Sequence, residues 1–132
     1  MERQARQGRI LTKDEVHRLF QTHETQWSRL TTLEELTWDS FPWPMLKKPV
    51  SSEEITPAAV SAYVLSPHYP DKTKSDKDRI KEYIRRWHPD RFETKYLVRV
   101  VEDDRERVKE GAGTVVRNLN DLLTRTNAPS LF

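Results

Sequence analysis

The apolar residues of this chain recur at steps of three and four, and nowhere do they alternate with period two over a useful length, which commits the fold to helices packed on helices. Val16, Leu19, Phe20, His23, Trp27 and Leu30 line one stripe. Ile80, Tyr83, Ile84 and Trp87 occupy i, i+3, i+4 and i+7 of another, the clearest in the chain. Leu97, Val100 and Val101, then Val108, Val115, Val116, Leu119, Leu122 and Leu123 carry a third to about Thr126. The three glycines, Gly8, Gly111 and Gly113, are too few for the left-handed turns of tight hairpins or for a glycine-rich phosphate cradle. The expected class is all-α.

Local signals place the helix starts. Residues 1–10 are polar, contain Arg3, Arg6 and Arg9, and read as a disordered start. Thr12 and Glu15 have capping-box spacing, so an N-terminal helix is expected over 11–33. Thr56-Pro57 pairs an N-cap with a proline at the first helical position and opens a short helix through Val60, Tyr63 and Val64, which Pro67 and Pro70 end. Ser75 and Asp78 repeat the capping logic, predicting a helix over about 75–88 that Pro89 stops. Beyond Phe92 the period predicts a helix over about 93–125. Within it, Glu102–Arg107 is either solvated helix or loop, and Gly111 and Gly113 mark either a break or a close helix crossing. Residues 127–132 read as a tail, and 51–126 as one helical module.

Residues 34–50 differ. Trp38, Phe41 and Trp43 crowd around Pro42 and Pro44, which forbid a regular helix, so the segment is expected to be extended. Three large aromatics are costly to leave in water. They either strap over the helical core or form an exposed docking patch.

With 33% charged and 35% hydrophobic residues in 132, the chain fits one polar domain with a thin core. It has no cysteine, which excludes disulfides and thiolate metal sites and favours the nucleus or cytoplasm. No apolar run is long enough for a membrane span, and no signal-peptide core opens the chain. Nothing in the residues points to an enzyme, a cofactor or a metal. His17 and His23 do not share a helix face, His68 and His88 have no neighbouring ligand spacing, and Asp103 and Asp104 sit in a charged span. The 23 basic and 21 acidic residues leave a net charge of +2, so the distribution of charge matters more than its sum.

That distribution centres on the helix before Pro89. Lys74, Lys81 and Arg85 cluster on one of its flanks, Arg79 and Arg86 on the other, and the turn His88-Pro89-Asp90 follows. Two readings of the turn stand. Pro89 ends one helix and Asp90 caps the next while His88 faces solvent, or the three residues present polar groups to a partner and Trp87 anchors them. Basic helix, His-Pro-Asp and a second amphipathic helix together resemble helices II and III of a J domain, though the Tyr-x-x-Leu-Gly opening usual in that family is absent. The resemblance implies a J-domain-like hairpin docking on a DnaK-type chaperone, with His88, Pro89 and Asp90 in the turn and Lys81, Arg85 and Arg86 as electrostatic contacts.

A wider set of residues is similar to the C-terminal region of nuclear-factor-kappa-B inhibitor-like proteins and their fungal relatives. It comprises Phe41-Pro-Trp-Pro44, Arg86-Trp-His-Pro-Asp-Arg-Phe92, Glu102-Asp-Asp-Arg-Glu106 and Leu119-Asn-Asp-Leu122, spanning about residues 30 to 125. That resemblance implies nuclear residence and a regulatory role in signalling or mRNA processing. The ankyrin repeats that precede the region in animal members have no counterpart here. The expectation is a non-enzymatic module that binds a protein with an acidic surface. The alternatives are a co-chaperone for a DnaK-type chaperone and, through Arg79, Lys81, Arg85 and Arg86 with exposed Trp38 and Trp43, an RNA or single-strand binder.

Overall fold

The structure, a computed structural model, describes residues 10–127. The disordered start and the tail read from the sequence therefore lie outside the described residues, save for Ile10 and Asn127 at their inner edges. Among these residues five α-helices follow in order: α1 Lys13–Leu30, α2 Pro57–Val64, α3 Asp76–Trp87, α4 Pro89–Lys95 and α5 Glu102–Asn127. Short 3-10 turns stand at Trp38–Ser40, Ser52–Glu54 and Leu97–Arg99. The fold is all-α, and among the described residues the β-type pairing is a lone parallel bridge between Leu36 and Val100. No described helix is long and apolar enough to cross a membrane.

The predicted caps are in place because each is satisfied by its own neighbours. The Thr12 hydroxyl accepts from the Glu15 amide at 3.2 Å while the Glu15 carboxylate accepts from the Thr12 amide at 2.8 Å. Thr56 accepts from the Ala59 amide at 3.1 Å ahead of Pro57, and Ser75 from the Asp78 amide at 3.1 Å. Each removes an orphan N–H from a helix start, worth about 1 kcal/mol.

Helix α3 stands at the centre, with Ile80, Tyr83 and Trp87 buried. Helix α5 packs most extensively against it and next against α2, through Val108, Ala112, Val115, Leu119 and Leu122. Val16, Phe20 and Leu30 of α1 and Val60, Tyr63 and Val64 of α2 complete one apolar cluster. Each such side chain contributes about 1.5–3 kcal/mol when fully buried.

Two expectations are corrected. The segment 34–50 is extended only in part, at Leu36, Thr37 and Phe41: after the 3-10 turn, the Trp43 amide donates to the Phe41 carbonyl at 3.0 Å and the Met45 amide to the Trp43 carbonyl at 2.7 Å. Each of these i to i+2 bonds encloses a proline, Pro42 and then Pro44, whose fixed φ suits the centre of such a turn. The aromatics do act as a strap, since Trp38, Phe41 and Trp43 are each only 2% exposed.

The second arm of the expected hairpin, about 93–125, is not one helix. The chain after the turn forms α4, then the 3-10 turn, then α5. The cause is distant in sequence: the Leu36 amide donates to the Arg99 carbonyl and the Val101 amide to the Leu36 carbonyl, both at 2.9 Å, and these bonds hold 99–101 out of helical geometry. Glu102–Arg107 forms the opening turns of α5, and the helix runs through Gly111 and Gly113 without a break.

Candidate functional site

The turn after α3 is fixed from beneath. Trp87, fully buried as the last residue of α3, stacks on Phe92 of α4 at 5.3 Å between ring centroids and 20° between planes. Its other face lies on Trp43 at 5.0 Å and 23°, and Trp27 meets it edge-to-face at 5.3 Å. Aromatic contacts of this kind add about 0.5–1.5 kcal/mol each beyond the area they bury. The four residues between Trp87 and Phe92, His88, Pro89, Asp90 and Arg91, are all exposed.

His88 caps α4: its Nδ1 accepts from the Asp90 amide at 3.2 Å. Pro89 takes the first helical position, where a missing N–H removes nothing. The reading that Asp90 caps the next helix is therefore corrected. Asp90 lies inside the first turn, with its carbonyl accepting from the Thr94 hydroxyl at 2.8 Å. A carboxylate there also suits the positive end of the helix dipole.

The cations of α3 divide into two sets. Lys81 and Arg85 are exposed, with no ion-pair partner among the described residues. Arg86 is engaged: its two terminal nitrogens reach the Glu24 carboxylate of α1 at 2.8 and 3.0 Å, and its guanidinium lies over Trp27 and Tyr83 at 5.3 and 5.5 Å. Arg79, expected on a basic flank, is 8% exposed, donates to the Ser66 carbonyl at 3.3 Å and covers the Tyr69 ring at 4.3 Å. Lys74 is paired with Glu82, and that hydrogen bond raises its pKa.

Lys77 was missing from the sequence-based set. It is exposed and precedes Lys81 and Arg85 at steps of four, so the three cations share one face of α3 that runs toward His88. The signal was present in the spacing. It was masked by Asp76 and Asp78 on either side, which the helical period turns to other faces.

Trp38, Phe41 and Trp43 form no docking patch. Trp38 and Trp43 stack at 4.3 Å, and their indole N–H groups donate inward, Trp38 to the Pro49 carbonyl at 2.8 Å and Trp43 to the Trp38 carbonyl at 3.0 Å. Neither ring is open to stack on a base. His23, on the apolar stripe of α1, is buried and bonded through Nδ1 to the Tyr63 hydroxyl at 2.7 Å. Among the described residues no three His, Asp or Glu side chains converge as metal ligands would.

The site thus combines an anchored, exposed turn with three cations at helical spacing, Lys77, Lys81 and Arg85, that have no ion-pair partner among the described residues. No curated protein and no solved structure is significantly similar to the chain. Residues 60–127, just over half of it, match the NF-kappa-B inhibitor-like protein 1 C-terminal domain, a span that takes in most of α2, the turn and helices α3 to α5. Phe41-Pro-Trp-Pro44 precedes the matched span yet packs its rings into it. The chain belongs to the family of the NF-kappa-B inhibitor-like protein 1 C-terminal domain.

Proposed function

We propose that this chain is a non-enzymatic, regulatory protein-interaction module, resident in the nucleus or cytoplasm, that holds an acidic surface of a partner on α3 and the turn after it. The supporting observation is the contrast among its cations. Arg79, Arg86 and Lys74 are consumed within the fold, whereas Lys77, Lys81 and Arg85 stand in one row with no ion-pair partner among the described residues. Unpaired charges in water contribute mainly to the rate and selectivity of association, and the contribution falls with salt. The turn adds shape: His88, Pro89 and Asp90 are anchored by the stacked Trp87 and Phe92 on either side, which lowers the ordering required when a partner arrives.

The test compares proteins retained from nuclear and cytoplasmic extracts by wild type and by Lys81→Glu/Arg85→Glu. A partner lost on charge reversal and on raising the salt supports the reading. A set of partners identical for both proteins overturns it.

A second reading is favoured by the exposure of His88, Pro89 and Asp90 between two anchored helices, the arrangement that resembles a J domain. In that reading the module accelerates ATP hydrolysis by a DnaK-type chaperone. Stimulation of the single-turnover rate that disappears in His88→Gln supports it, and no stimulation at saturating protein removes it.

A further inference from the structure

A broad concavity lies away from the α3 cations. It has a volume of about 730 Å³ and is bounded by the approach to α1, the end of the Trp-Pro segment and the end of α2. Its surface is mostly apolar: Leu11, Val16, Leu46, Ala62, Leu65 and Pro67 line it beside Ser61, Ser66 and His68, and Ile10 at its edge is 88% exposed. Helices normally turn such residues inward, and here three separate segments leave theirs facing a common groove. Its volume falls within the roughly 300–1,000 Å³ of pockets that hold ligands.

Two cations stand at the rim. Lys47 lines the groove, is exposed, and has no ion-pair partner among the described residues. Lys72 is tied by its ammonium to the carbonyl oxygen of Pro67, itself a lining residue, which fixes a second cation at the edge. Asp71, the acid next to Lys72, is turned to the Thr73 amide at 2.9 Å and the Thr73 hydroxyl at 2.5 Å. Among the described residues no carboxylate lines the groove.

An apolar floor with a cationic rim selects an occupant. We propose that this groove binds a short acidic segment of another protein, taking its aliphatic side chains on the floor and its carboxylates at Lys47 and Lys72. The chain's own first residues, with Arg3, Arg6 and Arg9, carry the wrong sign for that rim. Apolar anchors flanked by matched charge are the usual way an amphipathic segment enters a groove. The surface is distinct from the α3 row, so the two proposals stand or fall separately.

The probe is a short synthetic peptide with leucines at helical spacing and glutamates between them, labelled for fluorescence anisotropy, beside a version with lysine for every glutamate. Ala62 is exposed, so Ala62→Trp fills the groove without entering the core. Saturable binding of the acidic peptide is expected, weakened about tenfold or more by Ala62→Trp and about fivefold by Lys47→Glu, with the lysine version inert. Lys81→Glu/Arg85→Glu should leave this binding unchanged. Absence of binding, equal binding of the lysine peptide, or indifference to Ala62→Trp overturns the proposal. So does concentration-dependent dimerisation abolished by Ala62→Trp, which would make a second copy the occupant.

Discussion

A β-carbon placed on Gly111 would stand 2.8 Å from Cη2 of Trp43, and 2.9 and 3.0 Å from Cζ3 and Cη2 of Trp38. Helix α5 and the Trp-Pro segment approach as closely as they do because residue 111 has no side chain. Neither indole can retreat, since each is stacked on the other and held by its own N–H bond. Gly113, two residues on, would meet only the end of the flexible Arg117 side chain, at 3.4 Å.

The two glycines should therefore respond oppositely to alanine. Helix propensity alone favours alanine by about 1 kcal/mol at either position. At 113 that gain should be realised in part. At 111, overpacking against the two rings should outweigh it, giving a net loss of about 1–2 kcal/mol. Urea unfolding of Gly111→Ala and Gly113→Ala measures both, and a stabilised Gly111→Ala would mean that the Trp stack yields.

Trp87 and Asp90 separate what holds the turn from what it presents. Trp87→Ala should empty the space among Trp27, Trp43 and Phe92 and cost about 3–5 kcal/mol, enough to unfold a domain of ordinary stability. Asp90→Ala removes an exposed carboxylate near a helix start and should cost no more than about 1 kcal/mol. Thermal melts by circular dichroism distinguish them. If Asp90→Ala also melts the protein, the turn is a structural cap and its role as a binding surface is lost.

Helix starts were legible in the sequence because a cap is complete within four residues: Thr12 with Glu15, Thr56 with Pro57 and Ser75 with Asp78 need nothing from elsewhere. The break between α4 and α5 was not legible, because Val100 and Val101 fit a helical stripe and leave it only when Leu36 claims the backbone at 99 and 101. Basic flanks misled for a similar reason. Arg79 and Arg86 read as solvated until Tyr69 and Glu24, on other elements, cover them. The exposed row of the candidate site was legible in spacing, and which cations stay free depended on partners that only the tertiary fold supplies.

Arg86 clasps α3 to α1, and its value lies more in packing than in charge. The pair with Glu24 is bidentate, but the Glu24 side chain is 56% exposed, so solvent screening limits the pair to about 1 kcal/mol or less. Glu24→Gln should then cost little, and that small loss should vanish in high salt. Arg86→Ala should cost more, about 1–2 kcal/mol, because it also uncovers Trp27 and Tyr83. Denaturant midpoints of the two variants and their double mutant give the coupling directly.

His23 should make stability depend on pH in a defined window. Burial lowers its pKa from 6.5 to about 4, opposed more weakly by the nearby Glu24 charge. The unfolded chain therefore binds a proton near pH 6.5 that the folded chain refuses until about pH 4. Between those values the unfolded state holds more protons, so stability falls as the pH falls, and the dependence ends once both states are protonated. The full shift corresponds to about 3 kcal/mol. Urea midpoints measured from neutral pH down through this window should decline in wild type and stay flatter in His23→Gln, whose amide has no proton to gain. An equal decline in both would place the acid sensitivity elsewhere and return the buried imidazole to a packing role.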